Sequence, residues 1–269
     1  MARPLSLAHL TVLDLSPPEV VSVAAEAGFD AFGLRLNPVR PGEAPPPVLG
    51  DTPMRRDILA RMQDTGVKML DVEAFMLREA RDLDTVVPAL EAGATLGASN
   101  ALVMIDQADE SKAVDLFAAF CDVCVDFRLT AALEFMPWIG LRTLSSAIAV
   151  ERRAARSNAA ILLDAFHLFR TDADLSLIAE IPREKLTYAQ LCDAPATPPP
   201  SLDEIADEAR FDRKFPGEGG FPLSAYIKAL PSDLPIAVEV ATARIAATTS
   251  PRQRAHHAYA TAKALLDTV

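Results

Sequence analysis

The chain has 269 residues, half of them apolar, with 26 Lys and Arg against 37 Asp and Glu and a net charge of −11. That is enough chain and apolar surface for one large α/β domain with an ordinary core, without disulfides or a structural metal. A surface this acidic repels nucleic acid and anionic membranes and so excludes both as partners, whereas a small anionic molecule needs only a local basic pocket.

No stretch approaches the ~20 uninterrupted apolar residues of a membrane span. The opening "MARPLSLAHLTVLDLS" lacks the sustained apolar region and small-residue cleavage site of a signal peptide. The three cysteines, Cys121, Cys124 and Cys192, are too few for a disulfide framework. Cys121 and Cys124 fall inside an apolar helical pattern, which reads as core thiols, and a reducing cytoplasm is the expected setting.

Short apolar runs alternate with longer helical patterns along the whole chain. The runs are 6–13, 31–36, 67–75, 100–105, 129–135, 159–165, 186–191 and 235–240. Several are apolar throughout, as expected of parallel strands buried on both faces. Between the first two, Ser16 caps a helix with Pro in its first turn, Glu19 three residues after the cap and Gly28 at the stop. The next helix is capped by Asp51 or Thr52 and ended by Gly66, and amphipathic segments follow at 82–97, 110–128, 143–158 and 251–269. Eight strand–helix units in this length predict a single-domain (β/α)8 TIM barrel over 1–269. The competing doubly wound sheet lacks its Gly-x-Gly-x-x-Gly turn after the first strand. Two Pro-rich connections, 37–50 and 192–220, read as irregular pocket walls at the end of the barrel that carries chemistry.

Polar residues gather at the C-terminal ends of the strands: Glu134 on the fifth, Asp164 on the sixth, Gln190 on the seventh and Glu239 on the eighth. No Lys or Arg sits in those four strands, and buried carboxylates need a counter-charge. A divalent cation supplies one. Three carboxylates and an amide form an oxygen set suited to Mn²⁺ or Mg²⁺, with Zn²⁺ and Co²⁺ as alternatives.

The segments "SPPEVVSVAAEAGFDAFGLRL", "DVEAF", "LEFMPW", "LLDAFHLFR", "QLCDAP", "FPGEGGFPL" and "AVEV" resemble the xylose isomerase-like TIM barrels, the sugar phosphate isomerase/epimerase group, over nearly the whole length. The resemblance implies metal ligands on strands five to eight, which fall on Glu134, Asp164, Gln190 and Glu239. It also implies that Glu134 and Glu239 serve as base and acid across a metal-polarised carbonyl. Gln190 stands where many members have His. Together with Asp164-x-x-His167 and the "QLCD" segment, it is similar to the 3-dehydroshikimate dehydratases of the superfamily.

His167 is placed to protonate a leaving hydroxyl or hold a substrate oxygen. Arg210 is expected to grip an anionic oxygen from the long seventh connection, with Arg213 and Lys214 as neighbours that could do so instead. Arg35 ends the second strand, where many family members have Glu. It reads equally as a site for a substrate carboxylate or phosphate and as a rim ion pair with Glu73. His9 and Trp138 are candidate pocket walls, Arg170 a partner of Asp172 or Asp174, and His256 and His257 surface residues. The first functional reading is an isomerase or epimerase of a small polyhydroxylated carbonyl compound. A dehydratase-type lyase is the alternative, and a non-catalytic binding protein the third. An endonuclease of the related repair barrels is rejected, because four histidines and an acidic surface suit neither a multi-zinc cluster nor a nucleic-acid groove. Barrels of this kind often pair, and a homodimer is compatible with the sequence.

Overall fold

The computed structural model of the protein describes residues 3–38, 44–171, 174–241 and 243–269. Eight parallel strands close into a barrel in sequence order, with β8 hydrogen-bonded back to β1. They are β1 (Leu5–Leu7), β2 (Ala31–Arg35), β3 (Lys68–Leu77), β4 (Asn100–Ile105), β5 (Thr130–Glu134), β6 (Ala159–Asp164), β7 (Leu186–Leu191) and β8 (Ile236–Val238). The expected runs are therefore strands, and β4 and β6 are buried at every residue, as a sheet covered on both faces requires.

The first run is the exception. Only Leu5–Leu7 is strand, and His9–Val12 turns into a 3-10 helix whose Thr11 hydroxyl donates to the Val238 carbonyl. An apolar run alone cannot distinguish a buried strand from a buried turn.

The outer helices begin where the caps predict. Helix α1 (Pro17–Ala27) has the Ser16–Glu19 capping box and ends on Gly28 at φ 100°; α2 (Pro53–Thr65) is capped by Thr52. Helices α3 (Leu83–Thr95), α4 (Glu110–Asp126) and α5 (Leu144–Ala154) follow, and α9 (Pro251–Leu266) closes the ring. Cys121, Cys124 and Cys192 are free and buried.

Three helices lie where the sequence reading has none. The short α6 (Ala165–Phe169) continues directly from β6, α7 (Leu202–Phe211) occupies the middle of the long seventh connection, and α8 (Leu223–Ala229) precedes β8. Helix α6 starts with Ala-Phe-His-Leu because it is buried rather than on the surface. Of the irregular connection 37–50, residues 39–43 lie outside the described residues. Among the described residues, no helix is long and apolar enough to cross a membrane.

Candidate functional site

Asp164 is where strand becomes site. Its Oδ1 caps α6, accepting from the N–H groups of Phe166 at 2.5 Å and His167 at 3.4 Å, and its Oδ2 accepts from Arg213 Nη1 at 2.8 Å. The cap turns the chain so that His167 faces the strand ends: Nε2 lies 3.8 Å from Glu134 Oε1 and 3.9 Å from Asp164 Oδ2. One ligating atom from each of Glu134, Asp164 and His167 lies within 4.8 Å of the others.

The counter-charge to these carboxylates comes from the loop. Arg213, 7% exposed, reaches in with Nη1 2.8 Å from Asp164 Oδ2 and 2.9 Å from Glu239 Oε2. Glu239 Oε1 in turn accepts from Gln190 Nε2 at 3.0 Å. A polar chain therefore runs Gln190–Glu239–Arg213–Asp164 across the ends of β6, β7 and β8. Arg210, the residue expected to grip the substrate, is exposed and lies over the Trp138 ring at 5.7 Å. Lys214 is also displaced from the site, its Nζ 3.5 Å from Asp212. Arg213 is the cation that reaches these carboxylates. In sequence it resembles its neighbours; only the fold selects it.

The loop that delivers Arg213 is wound around Asp193. The backbones of Asp193 and Lys214 exchange two hydrogen bonds, 2.9 and 2.8 Å. The Asp193 carboxylate accepts from the N–H groups of Ala194, Gly217 and Phe221 at 2.8, 3.1 and 3.0 Å. Gly219 is required there, because a Cβ would stand 2.3 Å from Asp193 Oδ1.

The electrostatics follow from burial. Burial pushes Glu134 well above the usual carboxylate range, and the charges of Asp164 and Glu239 add to it. Burial pushes Glu239 up to about 8 against the pull of Arg213. For Asp164 burial is outweighed by the Arg213 charge, by His167 and by hydrogen bonds from Arg213 and Phe166, which hold it below the ordinary value. Burial, with Arg213 adding to it, brings His167 down to about 4 although Asp164 opposes, so the imidazole is neutral at pH 7. Its Nδ1 has no partner, and its ring is held by edge contacts to Trp138 at 5.2 Å and Phe166 at 5.7 Å.

The other expected residues divide. His9 is buried with both nitrogens on backbone, Nδ1 accepting from the Arg35 N–H at 3.0 Å and Nε2 3.4 Å from the Leu15 carbonyl, so it braces the turn after β1 against β2. Arg35 and Glu73 are register partners on β2 and β3 but form no ion pair, and Arg35 Nε and Glu73 Oε1 are buried without partners. Arg170 pairs with Glu208, a residue the sequence did not single out, at 2.8 Å instead of with Asp174; Asp172 lies outside the described residues. His256 and His257 are exposed on α9. Asp71 on β3, also unforeseen, accepts from the Tyr188 hydroxyl at 3.0 Å inside the barrel.

The donor set fits a divalent cation: two carboxylates and an imidazole within ligating reach of a common point, with the Gln190 Oε1 buried beside them and without a partner.

The chain is 26% identical over 223 residues to a 3-dehydroshikimate dehydratase of Pseudomonas aeruginosa, a match covering 78% of this chain and 33% of that protein. It is 24% identical over 123 residues to an inosose isomerase of Bacillus subtilis, covering 45% and 42%. The chain thus spans a third to two fifths of the curated relatives it matches. A crystal structure of the IolI protein with a bound zinc atom superposes with a TM-score of 0.83 at 19% identity, covering 98% of both chains, and shares the fold. The family model described as xylose isomerase-like TIM barrel matches residues 21–262. With the closed barrel and this match over most of its length, the chain belongs to the xylose isomerase-like TIM barrel family.

Proposed function

We propose that the protein is a divalent-metal-dependent enzyme, with Mn²⁺ or Mg²⁺ as the leading ions, that removes a proton beside the carbonyl of a small polyhydroxylated compound. Of the two outcomes of that step, we infer that loss of water is the one catalysed. The observation that carries this is the asymmetry of the proton carriers. Both oxygens of Glu239 are engaged, by Arg213 and Gln190, whereas His167 is neutral, with Nδ1 free and Nε2 facing two carboxyl groups. An epimerase needs two carriers on opposite faces of one carbon; a dehydration needs one group that takes a proton and gives one to the adjacent hydroxyl.

Glu134, Asp164, Gln190 and Glu239 would hold the ion, with His167 beside it and its Nε2 kept for the proton. A bound divalent ion would supply the electrophile that draws electron density from the substrate carbonyl. His167 accepts the proton at Nε2. The imidazolium so formed, flanked by Asp164 and Glu134, gives a proton to the departing hydroxyl, so that water leaves and a carbon–carbon double bond remains. Trp138 covers His167 and keeps bulk water from the ring. Similarity to the dehydratase over 78% of the chain supports this choice. Similarity to the inosose isomerase keeps isomerisation or epimerisation between Glu134 and Glu239 as the second reading.

The test is a product screen. Metal-loaded protein is incubated in D₂O with 3-dehydroshikimate and, separately, with ketoses and ketose phosphates. An ultraviolet-absorbing unsaturated product from the first is expected. Deuterated epimers or isomers from the second, with no absorbing product from the first, would replace dehydration by the second reading.

A further inference from the structure

The β2–β3 side of the barrel carries polar groups that the reaction above does not use. Gly33 shows which way they point. A Cβ on Gly33 would stand 2.5 Å from both Asp71 Oδ1 and Glu73 Oε1, so the side-chain direction at Gly33 leads onto those carboxyl groups. Residues two apart on a strand point the same way. Arg35 therefore projects from the same face as Gly33, one layer nearer the C-terminal end where the site lies, beside its register partner Glu73.

Arg35 and Glu73 ought to satisfy each other, yet no Arg35 nitrogen lies within ion-pair distance of a Glu73 oxygen. Arg35 Nε and Glu73 Oε1 are both buried with no hydrogen-bond partner, and Glu73 is 1% exposed. The β2 backbone is held in place by His9, which accepts the Arg35 N–H. Leaving a buried donor unmet costs about 1–3 kcal/mol, and more for a charged group. A ligand that offers an acceptor to Arg35 removes that cost.

We infer that Arg35 forms a recognition subsite beside the Glu73 carboxyl, in which the Arg35 guanidinium binds a carboxylate of the substrate. The substrate class is then a polyhydroxylated keto acid rather than a neutral ketose. The planar guanidinium fork matches a carboxylate, and Arg35 is close enough to Glu239 for its charge to act there, so a ligand held by Arg35 extends toward the proton-transfer side. The inference rests on the reading of the barrel mouth as a site for a polyhydroxylated carbonyl compound. It does not depend on which reaction follows.

The experiment measures binding by calorimetry, with quinate and methyl quinate as probes, on the full chain and on Arg35→Met and Arg35→Lys. The wild type is expected to bind quinate at least tenfold more tightly than its ester. Arg35→Met should bring that ratio close to one, and Arg35→Lys, which keeps the charge without the fork, should retain an intermediate ratio and report a folded protein. Equal affinity of the wild type for both probes, no binding of either, or an undiminished ratio in Arg35→Met overturns the subsite. Turnover of 3-dehydroshikimate is assayed alongside. A preserved acid preference without turnover removes the dehydration and leaves the subsite; turnover without acid preference removes the subsite and leaves the dehydration.

Discussion

The two sides of the barrel mouth are built on opposite terms. On β6, β7 and β8 every charge has a partner within the protein: Arg213 bridges Asp164 and Glu239, and Gln190 holds the second Glu239 oxygen. On β2 and β3, Arg35 and Glu73 stand side by side and do not pair. Groups that must be in place before a substrate arrives are fixed by the protein's own ions. Groups that identify the substrate are left for it to satisfy. A site organised in this way is rigid where protons move and permissive where it reads chemistry.

The largest effect should come from removing the bridge. Arg213→Met leaves Asp164 and Glu239 buried without a counter-charge, and equilibrium urea unfolding should show a loss of about 3–5 kcal/mol, with activity abolished. A loss under ~1 kcal/mol would mean that the β6–β8 side is not held by this ion pair.

Next is the metal. Asp164→Asn keeps an oxygen to cap α6 but removes the charge that a cation needs. The melting temperature of the wild type should rise on adding Mn²⁺ and fall back with a chelator, by several degrees at saturating ion; that of Asp164→Asn should not respond. An equal response in both would take Asp164 out of the ligand set.

The β2–β3 side makes a pH prediction of definite sign. Burial raises Glu73 to about 8, with Asp71 adding and Arg35 opposing, and raises Asp71 to about 7. The folded protein therefore retains protons that the unfolded chain has released. The stability contributed is full below the unfolded carboxylate values near pH 4 and is lost as pH rises through 7 and 8. Glu73→Gln should flatten that decline and be more stable than the wild type at pH 8 by on the order of 2 kcal/mol, measured by unfolding at pH 5 and pH 8. A wild-type profile that rises across this window would contradict the unpaired state of these groups.

The smallest effect belongs to the exposed Arg210. Arg210→Ala removes one contact to Trp138 and should cost under about 1 kcal/mol, with at most a several-fold change in KM.

How far the sequence leads can be traced through particular residues. Strands β2 to β8 are legible because a parallel strand buried on both faces leaves an unbroken apolar run, and Glu134, Asp164, Gln190 and Glu239 stand out as polar interruptions at equivalent places. Helix α7 is missed although Ser201 caps it and Ile205, Ala206 and Ala209 form its buried stripe; the prolines before it make the segment look irregular. Arg213 is illegible for a different reason. Its partners are 49 and 26 residues away, and nothing local separates it from Arg210 or Lys214. The same holds for Asp71, whose environment is set by Tyr188 across the barrel.

The winding of the seventh connection around Asp193 has a consequence for change in this protein. Arg213 is delivered by backbone N–H groups meeting one carboxylate, with a glycine where that carboxylate passes. Backbone donors are common to nearly all residue types, so the anchor sets a length and a turn, not a side-chain composition. The exposed positions of the outer connection can therefore be rewritten to reshape the entrance, while the buried face of α7, whose Ala209 carbonyl accepts from Arg213 Nε, keeps the cation at its post. Altering Asp193, or the spacing from it to Gly217, would displace Arg213 without touching a single residue of the site.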